Sequence, residues 1–202
     1  MKTFYTSDRH FSHKSIFGEN GFEEGRRHFK TADEMNVAMI KAHNSVVSQE
    51  DTFYDLGDFS FHAKPAEIIG LIMLLNGNMV LIDGNHDHDK VWNKVEKVLE
   101  GEMLNGKPKF TRYRFGTIKK VHKAKLYLSH FPMCIGNRPK YWSIHGHIHD
   151  AEGSELTMIN VGVDSPVTKR IAGAFTPISE EQLIEEINRR KEAIEQTRGG
   201  SM

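Results

Sequence analysis

The sequence predicts an α/β protein, because short apolar segments typical of strands alternate with helical segments along most of the chain. The chain has 202 residues and contains no repeat, low-complexity tract or linker that would divide it. Polar residues recur directly after the predicted strands, where sheets of this class place their ligand sites. We therefore expect one domain over residues 1–198, a flexible tail over 199–202 and a functional site at the carboxyl ends of the strands.

Three strands and three helices are predicted in the amino-terminal half of the chain. Thr31 and Glu34 form a capping-box pattern ahead of apolar residues at helical spacing, which predicts a helix. Pro65 suits the first position of another helix. In order, we expect a strand at 2–6, a helix at about 32–46, a strand at 52–56, a helix from Pro65 to Leu75, a strand at 79–82 and a helix over 91–101.

The carboxy-terminal half contains more strands and one long helix. Residues 109–129 hold three β-like runs, the last of which leads to His130. Ser179 and Gln182 form a second capping box, which predicts a helix over 180–196.

Three histidines stand at alternate positions within residues 141–150. In an extended strand alternate residues share a face, so His145, His147 and His149 would point the same way. Imidazole is the commonest protein metal ligand. A polar, solvated strand face is the alternative interpretation of this segment taken alone.

The composition indicates no global attraction to nucleic acid or membrane. Lys plus Arg and Asp plus Glu each number 27, so the formal net charge is zero. Extended nucleic-acid binding needs clustered cations, and the basic stretch at 107–125 fits either a solvated β face or such a patch. The longest apolar run, at 68–75, is too short to span a membrane.

The amino terminus lacks the apolar stretch of a signal peptide. Cys134 is the only cysteine, which excludes an intramolecular disulfide and suits a reducing compartment. We expect Cys134 to be a small buried hydrophobe and the protein to be cytoplasmic. The oligomeric state stays open.

Side chains that can bind metal ions follow the predicted strands. They are hard oxygen or imidazole donors and include no thiolate, a set that suits Mn²⁺, Fe or Zn²⁺ better than Ca²⁺. One catalytic zinc ion needs three protein ligands, so a larger supply predicts two ions about 3.5–4 Å apart. Asp58 is suited to bridge them. The candidate ligands are Asp8, His10, Asp58, Asn85, His130, His147 and His149.

The order of these residues resembles the five motifs of the calcineurin-like metallophosphoesterases. The resemblance is closest to compact bacterial and phage-type members without a cap domain. It implies a four-layer α/β/β/α sandwich with two mixed β-sheets flanked by helices. The matching segments are Asp8-Arg-His10, Gly57-Asp58, Gly84-Asn-His-Asp87, Ser129-His130 and Gly146-His-Ile-His149.

The resemblance also implies roles for individual residues. The first metal ion would be held by Asp8, His10, Asp58 and His149, and the second by Asp58, Asn85, His130 and His147. His145 lies outside this ligand set, so we expect it to support a ligand or to be structural. His86 would lie unligated beside the leaving group.

Metal coordination lowers the pKa of bound water to about 7, which supplies hydroxide for in-line attack on phosphorus. Protonation of the leaving alkoxide by His86 would contribute about 10²–10⁴-fold. Asp87 either orients His86 or caps the loop. We expect Mn²⁺ to be the most active metal in vitro.

Candidate substrate contacts are less specific. Arginine binds phosphate bidentately, so Arg9, Arg27 and the adjacent Arg26 are candidates, with ordinary surface positions as the alternative. His13 could contact substrate or a ligand. Tyr141 and Trp142 could stack on a nucleobase or belong to the core.

The expected function is hydrolysis of a small or nucleotide-like phosphodiester by a dinuclear metal site. A phosphatase acting on monoesters is the nearest alternative. A nuclease and a catalytically silent binding scaffold are further ones.

Overall fold

The computed structural model describes residues 1–136 and 138–199. In chain order the elements are β1 (Thr3–Thr6), a short 3₁₀ helix (Glu24–Arg26), α1 (Ala32–Val46), β2 (Thr52–Asp55), α2 (Pro65–Leu74), β3 (Asn78–Ile82), α3 (Asp89–Leu99), β4 (Met103–Leu104), β5 (Lys107–Pro108), β6 (Phe110–Tyr113), β7 (Thr117–Val121), β8 (Ala124–Leu128), β9 (Tyr141–His145), β10 (Met158–Asn160), α4 (Pro166–Ile171), β11 (Ile178–Ser179) and α5 (Glu180–Gly199).

Two mixed sheets organise these elements. The first has the order β11-β1-β2-β3-β6, in which β1, β2, β3 and β6 are parallel and β11 is antiparallel to β1. The second has the order β10-β9-β8-β7, with β8, β9 and β10 parallel and β7 antiparallel to β8. Strands β4 and β5 form a separate hairpin.

Alternate residues of the first sheet face two different hydrophobic clusters. Phe4 and Phe53 pack with the apolar faces of α1, α2 and α3. Tyr5 and Leu56 pack on the other side, with residues of the second sheet and with apolar residues of α4 and α5. The expected arrangement of two mixed sheets flanked by helices is therefore confirmed.

The capping signals set the helix boundaries that the sequence predicts. The Thr31 hydroxyl accepts a hydrogen bond from the Glu34 amide (3.1 Å) at the start of α1. At the start of α5 the Ser179 hydroxyl accepts from the Gln182 amide (3.2 Å), and the Gln182 side chain accepts from the Ser179 amide (2.9 Å). None of the helices in residues 1–136 and 138–199 is long and apolar enough to cross a membrane.

The sequence prediction missed five short features: the 3₁₀ helix, the β4–β5 hairpin, β10, α4 and β11. Each has six residues or fewer, too few for a hydrophobic period to be recognised. The predicted tail at 199–202 lies outside the described residues except for Gly199, with which α5 ends.

Candidate metal centre

The seven candidate ligands converge at the carboxyl ends of strands in both sheets. Asp8, Asp58 and Asn85 follow the parallel strands β1, β2 and β3 of the first sheet. His130, His147 and His149 follow the parallel strands β8 and β9 of the second. Parallel strands bring their carboxyl ends to one edge, and ligand sites form there.

The Asp58 carboxylate lies at the centre of the group. Its Oδ2 atom is 3.5 Å from His10 Nε2 and 3.5 Å from His130 Nε2. Asp8, His10 and His149 each offer a ligand atom within 4.8 Å of the others, and so do Asp8, Asp58 and His130. Two ligand atoms that bind the same ion at about 2.0–2.2 Å lie about 3–3.5 Å apart. The 3.5 Å distances from Asp58 Oδ2 to His10 and His130 are therefore suitable for ions that Asp58 shares with each histidine.

Asn85 joins the remaining donors. Its Oδ1 atom is 3.0 Å from His130 Nε2 and 2.9 Å from His147 Nδ1. His130 Nδ1 lies 2.8 Å from the Leu56 carbonyl oxygen, so donation to that carbonyl leaves the Nε2 lone pair directed at the site. The backbone N–H of His147 donates to both Asp8 carboxylate oxygens, at 3.0 Å each.

The backbone is strained at most of these positions. Left-handed conformations cost non-glycine residues of order 1–3 kcal/mol each and concentrate at functional sites. The sequence analysis placed His145, His147 and His149 on one strand, and this prediction is wrong, because β9 ends at His145 and the chain then turns. The candidate ligands with positive φ are Asp8 (56°), His10 (47°), Asp58 (53°), His147 (70°) and His149 (48°).

Glycines of the motifs allow this close approach. Gly57 has a φ of 101°, and a Cβ atom there would lie 2.5 Å from the Gly84 backbone nitrogen. A Cβ atom at Gly84 would overlap the Asp58 carboxylate, and one at Gly146 would overlap the Asp8 carboxylate. Gly84 and Gly146 therefore leave space for the carboxylates, and Gly57 leaves space for the Gly84 backbone.

The electrostatics of the site suit divalent cations. Burial lowers the pKa values of His10 and His130, which keeps both imidazoles in the neutral form that binds metals. Neither His10 ring nitrogen has a hydrogen-bond partner among the described residues, although both are buried. Burial raises the pKa of Asp8 to about 7, against the attraction of His149. Buried carboxylates beside neutral imidazoles are a donor set that a bound cation would stabilise.

Glu23 is a site residue that the sequence analysis did not single out. Its buried carboxylate lies 2.7 Å from His149 Nδ1. Burial tends to lower the pKa of His149, but Glu23 and Asp8 outweigh that effect and raise it. A carboxylate on the outer nitrogen of a metal-binding histidine fixes the ring orientation and increases ligand basicity. No pattern around Glu23 indicates this role, because the contact joins residues 126 positions apart.

Glu23→Ala should weaken Mn²⁺ binding by about 10–100-fold, because His149 loses the partner that orients it. Isothermal titration of chelator-treated protein with Mn²⁺ measures this directly. Glu24→Ala, a change at the exposed neighbouring position, is the matched control. Equal Mn²⁺ affinity in Glu23→Ala and the wild type would contradict the role.

The hydrogen bonds of Asp87 differ from those expected of a residue that orients His86. Its Oδ2 atom accepts from the backbone N–H groups of Asp58 (2.6 Å) and Gly84 (2.9 Å), and its Oδ1 atom accepts from Trp92 Nε1 (3.0 Å). Burial raises the pKa of Asp87 to about 8. Of the two expected roles, the contacts favour the loop cap: Asp87 ties together the loops that carry Asp58 and Asn85.

His86 lies on the open side of the centre. Its side chain is 36% exposed, and its Nε2 atom is 3.9 Å from Asp58 Oδ2. Its backbone N–H donates to Asp58 Oδ1 (2.9 Å). This position leaves the imidazole accessible to a bound substrate.

The expected substrate contacts of Arg9 and Arg26 are not supported. Arg9 is fully buried, and its Nε donates to Asp55 at 2.8 Å. Arg26 is also buried, pairs with Asp164, and donates to the backbone oxygens of Asp8 and Arg9 at 2.7 Å each. Arg26 therefore holds the loop that carries Asp8, and Arg9 fixes the same loop to β2.

The other two substrate candidates lie elsewhere. Arg27 is exposed, and its Nε donates to the Gly21 carbonyl (3.0 Å). His13 is buried and stacks on Phe61 with ring centroids 3.8 Å apart. Burial lowers the pKa of His13 to about 4, so it is a neutral ring beside the centre.

Arg9→Met should lower the free energy of unfolding by about 3–5 kcal/mol, because it leaves the buried Asp55 carboxylate unpaired. Burial already raises the pKa of Asp55 to about 6, against the effect of Arg9. Chemical denaturation of the metal-free protein measures the change. Unaltered stability combined with a raised KM would instead restore Arg9 as a substrate contact.

Three further predictions concern residues near β9. Trp142 is fully buried and belongs to the core, and Tyr141 lies at the opposite end of β9 from His145. His145 is buried and its Nδ1 lies 2.8 Å from the Gly146 carbonyl, outside the donor groups. The prediction that Cys134 is buried is wrong: it is exposed in the loop between β8 and β9, with Sγ 2.9 Å from Glu155.

Comparisons with known proteins agree with this geometry. The family model for calcineurin-like phosphoesterases matches residues 1–192. An uncharacterized protein of Methanocaldococcus jannaschii is 32% identical over 160 residues, covering 79% of this chain and 76% of that protein. The gene 66 protein of Mycobacterium phage L5 is 28% identical over 188 residues, covering 81% and 86%.

A solved structure has the same fold. The crystal structure of a protein of unknown function from Aquifex aeolicus matches with a TM-score of 0.63 and 25% identity, and the match covers 91% of this chain and 98% of that one. The chain therefore belongs to the calcineurin-like phosphoesterases, a family of metal-dependent phosphoric ester hydrolases.

Proposed function

We propose that this protein hydrolyses a small or nucleotide-like phosphodiester at a dinuclear metal site. The observation that carries the proposal is the central position of Asp58 between two groups of donors. Asp8, His10 and His149 form one group, in which His10 Nε2 is 3.5 Å from Asp58 Oδ2. Asn85, His130 and His147 form the other, in which His130 Nε2 is also 3.5 Å from Asp58 Oδ2. The residues proposed to hold two ions are thus those that the family motifs indicate, with Mn²⁺ expected to be the most active metal.

Bound divalent ions would activate water and neutralise charge on the phosphoryl oxygens. The chain contributes orientation and proton transfer. Asp87 holds the Asp58 backbone in place, Gly84 leaves room for the Asp58 carboxylate, and Glu23 orients His149. His86 is accessible and beside the centre, so it can donate its proton to the departing alkoxide oxygen.

The charges around the site favour a diester over a monoester. A monoester carries more negative charge, which additional cations would have to balance. Arg9, which lies between Asp8 and His10 in the sequence, is already paired with Asp55. Arg26, which donates to the Asp8 backbone oxygen, is already paired with Asp164. Neither is available for the additional charge of a monoester.

The basic stretch at 107–125 gives little support to a nuclease. Several of its cations are paired within the protein. Lys109 is buried and donates to two backbone carbonyls, Arg112 pairs with Asp83, and Lys119 pairs with Glu180. A cation that already has a protein partner adds little to phosphate binding.

Turnover of bis(p-nitrophenyl) phosphate and p-nitrophenyl phosphate with Mn²⁺ tests the proposal. We expect a higher kcat/KM for the diester and loss of activity with a chelator. Preference for the monoester would favour a phosphatase. Activity that is indifferent to the chelator would contradict a metal site.

A further inference from the structure

Two exposed phenylalanine rings contact the candidate ligand histidines. Phe22 is 55% exposed, and its ring centroid is 5.9 Å from that of His149. Phe131 is 52% exposed, and its ring centroid is 4.6 Å from that of His147. Exposure of a phenylalanine is not by itself evidence of a function, since Phe115 is 92% exposed and is not among the rings that contact the candidate ligands. The notable feature is an exposed apolar ring at the edge of a polar, metal-binding centre.

The two rings lie against different donor groups. Phe22 contacts His149, which groups with Asp8 and His10. Phe131 contacts both His130 (5.1 Å) and His147 (4.6 Å), the two histidines that surround Asn85. The two rings therefore border different parts of the proposed site.

The Phe22 side continues to His86 through further rings. Phe22 contacts His13 (5.5 Å), His13 stacks on Phe61 (3.8 Å), and Phe61 contacts His86 (4.9 Å). His86 is the proposed proton donor to the leaving group. The leaving group therefore belongs on this side, and Phe131 is the exposed ring beside the other donor group, available to the retained substituent of the diester.

We propose that Phe131 stacks on a planar aromatic group, such as a nucleobase, in the part of the diester that stays on the phosphate. The exposed face of a phenylalanine accepts any base, because every base has a π-face. This inference rests on the proposed phosphodiesterase function and adds the class of the retained substituent. It assigns Phe131 as a specificity-determining residue.

Two diesters with the same leaving group test the inference: p-nitrophenyl phenyl phosphate and p-nitrophenyl methyl phosphate. The ratio of their kcat/KM values is compared between the wild type and Phe131→Leu, so that differences in intrinsic reactivity cancel. We expect the phenyl preference to fall by on the order of tenfold in Phe131→Leu, mainly through a higher KM for the phenyl ester.

Two further variants keep the test interpretable. Phe131→Tyr retains the ring and should keep the wild-type ratio, which separates loss of stacking from a folding defect. Tyr141→Leu removes a partly exposed aromatic side chain (37%) at the far end of β9, where its ring contacts Tyr127. It should leave the ratio unchanged.

An unchanged ratio of the two kcat/KM values in Phe131→Leu would overturn the inference. A fall of this ratio in Phe22→Leu but not in Phe131→Leu would also overturn it, because the retained substituent would then lie beside Phe22. If the wild type hydrolysed neither diester with Mn²⁺, the proposed function itself would fail. Hydrolysis of both diesters with a ratio insensitive to Phe131 would leave that function standing and remove only the stacking role.

Discussion

Asp58→Asn is expected to abolish stable metal binding and to reduce diester turnover to background. Asp58 Oδ2 faces His10 and His130, and Oδ1 accepts from the His86 amide. Asparagine keeps the shape but loses the charge and one of the two oxygens that a bridging ligand needs. The loss of metal affinity should therefore be larger than the loss of about 10–100-fold that is expected when a residue that only supports a ligand is changed.

Asp58→Asn should fold normally without metal. Burial is the largest cause of the raised pKa of the Asp8 carboxyl, and repulsion from Asp58 raises it further. The melting temperature of the metal-free variant should accordingly equal or exceed that of the metal-free wild type. Asp33→Asn, at an exposed position in α1, is the control. Retention of two Mn²⁺ ions by Asp58→Asn would rule out the bridging role.

His86→Ala is expected to lower kcat by about 10²–10⁴-fold for a diester with an alkoxide leaving group, because that group departs only with a proton. The loss should be much smaller for p-nitrophenyl esters, whose leaving group departs readily without protonation. Metal content, measured by atomic emission on the purified protein, should match the wild type.

The neighbouring His88→Ala is the control for His86→Ala. His88 is exposed, precedes α3, and makes no side-chain capping hydrogen bond. It should change neither the rate nor the metal content. Loss of metal from His86→Ala would show that His86 is a ligand. Equal losses for alkoxide and p-nitrophenolate leaving groups would argue against proton donation.

The sequence predicted the convergence of the candidate ligands because parallel strands align their carboxyl ends. Asp8, Asp58 and Asn85 each follow such a strand, so local patterns were sufficient to group them. The strained backbone of His147 and His149 left no local signal, because histidine in an alternating segment also fits a regular strand.

Long-range pairing explains what the sequence alone did not indicate. Arg9 and Arg26 looked like phosphate contacts because their partners, Asp55 and Asp164, are 46 and 138 positions away. Glu23 was missed for the same reason, since only the fold brings it to His149. A buried ion pair between distant segments has no periodicity in the sequence.

The number and location of bound ions test the central claim most directly. Crystals of the protein grown with Mn²⁺ and measured at the manganese absorption edge would locate each ion by its anomalous signal. We predict two ions per chain that share Asp58, one beside His10 and His149 and the other beside Asn85, His130 and His147. A single ion, or ions bound away from Asp58, would contradict the account.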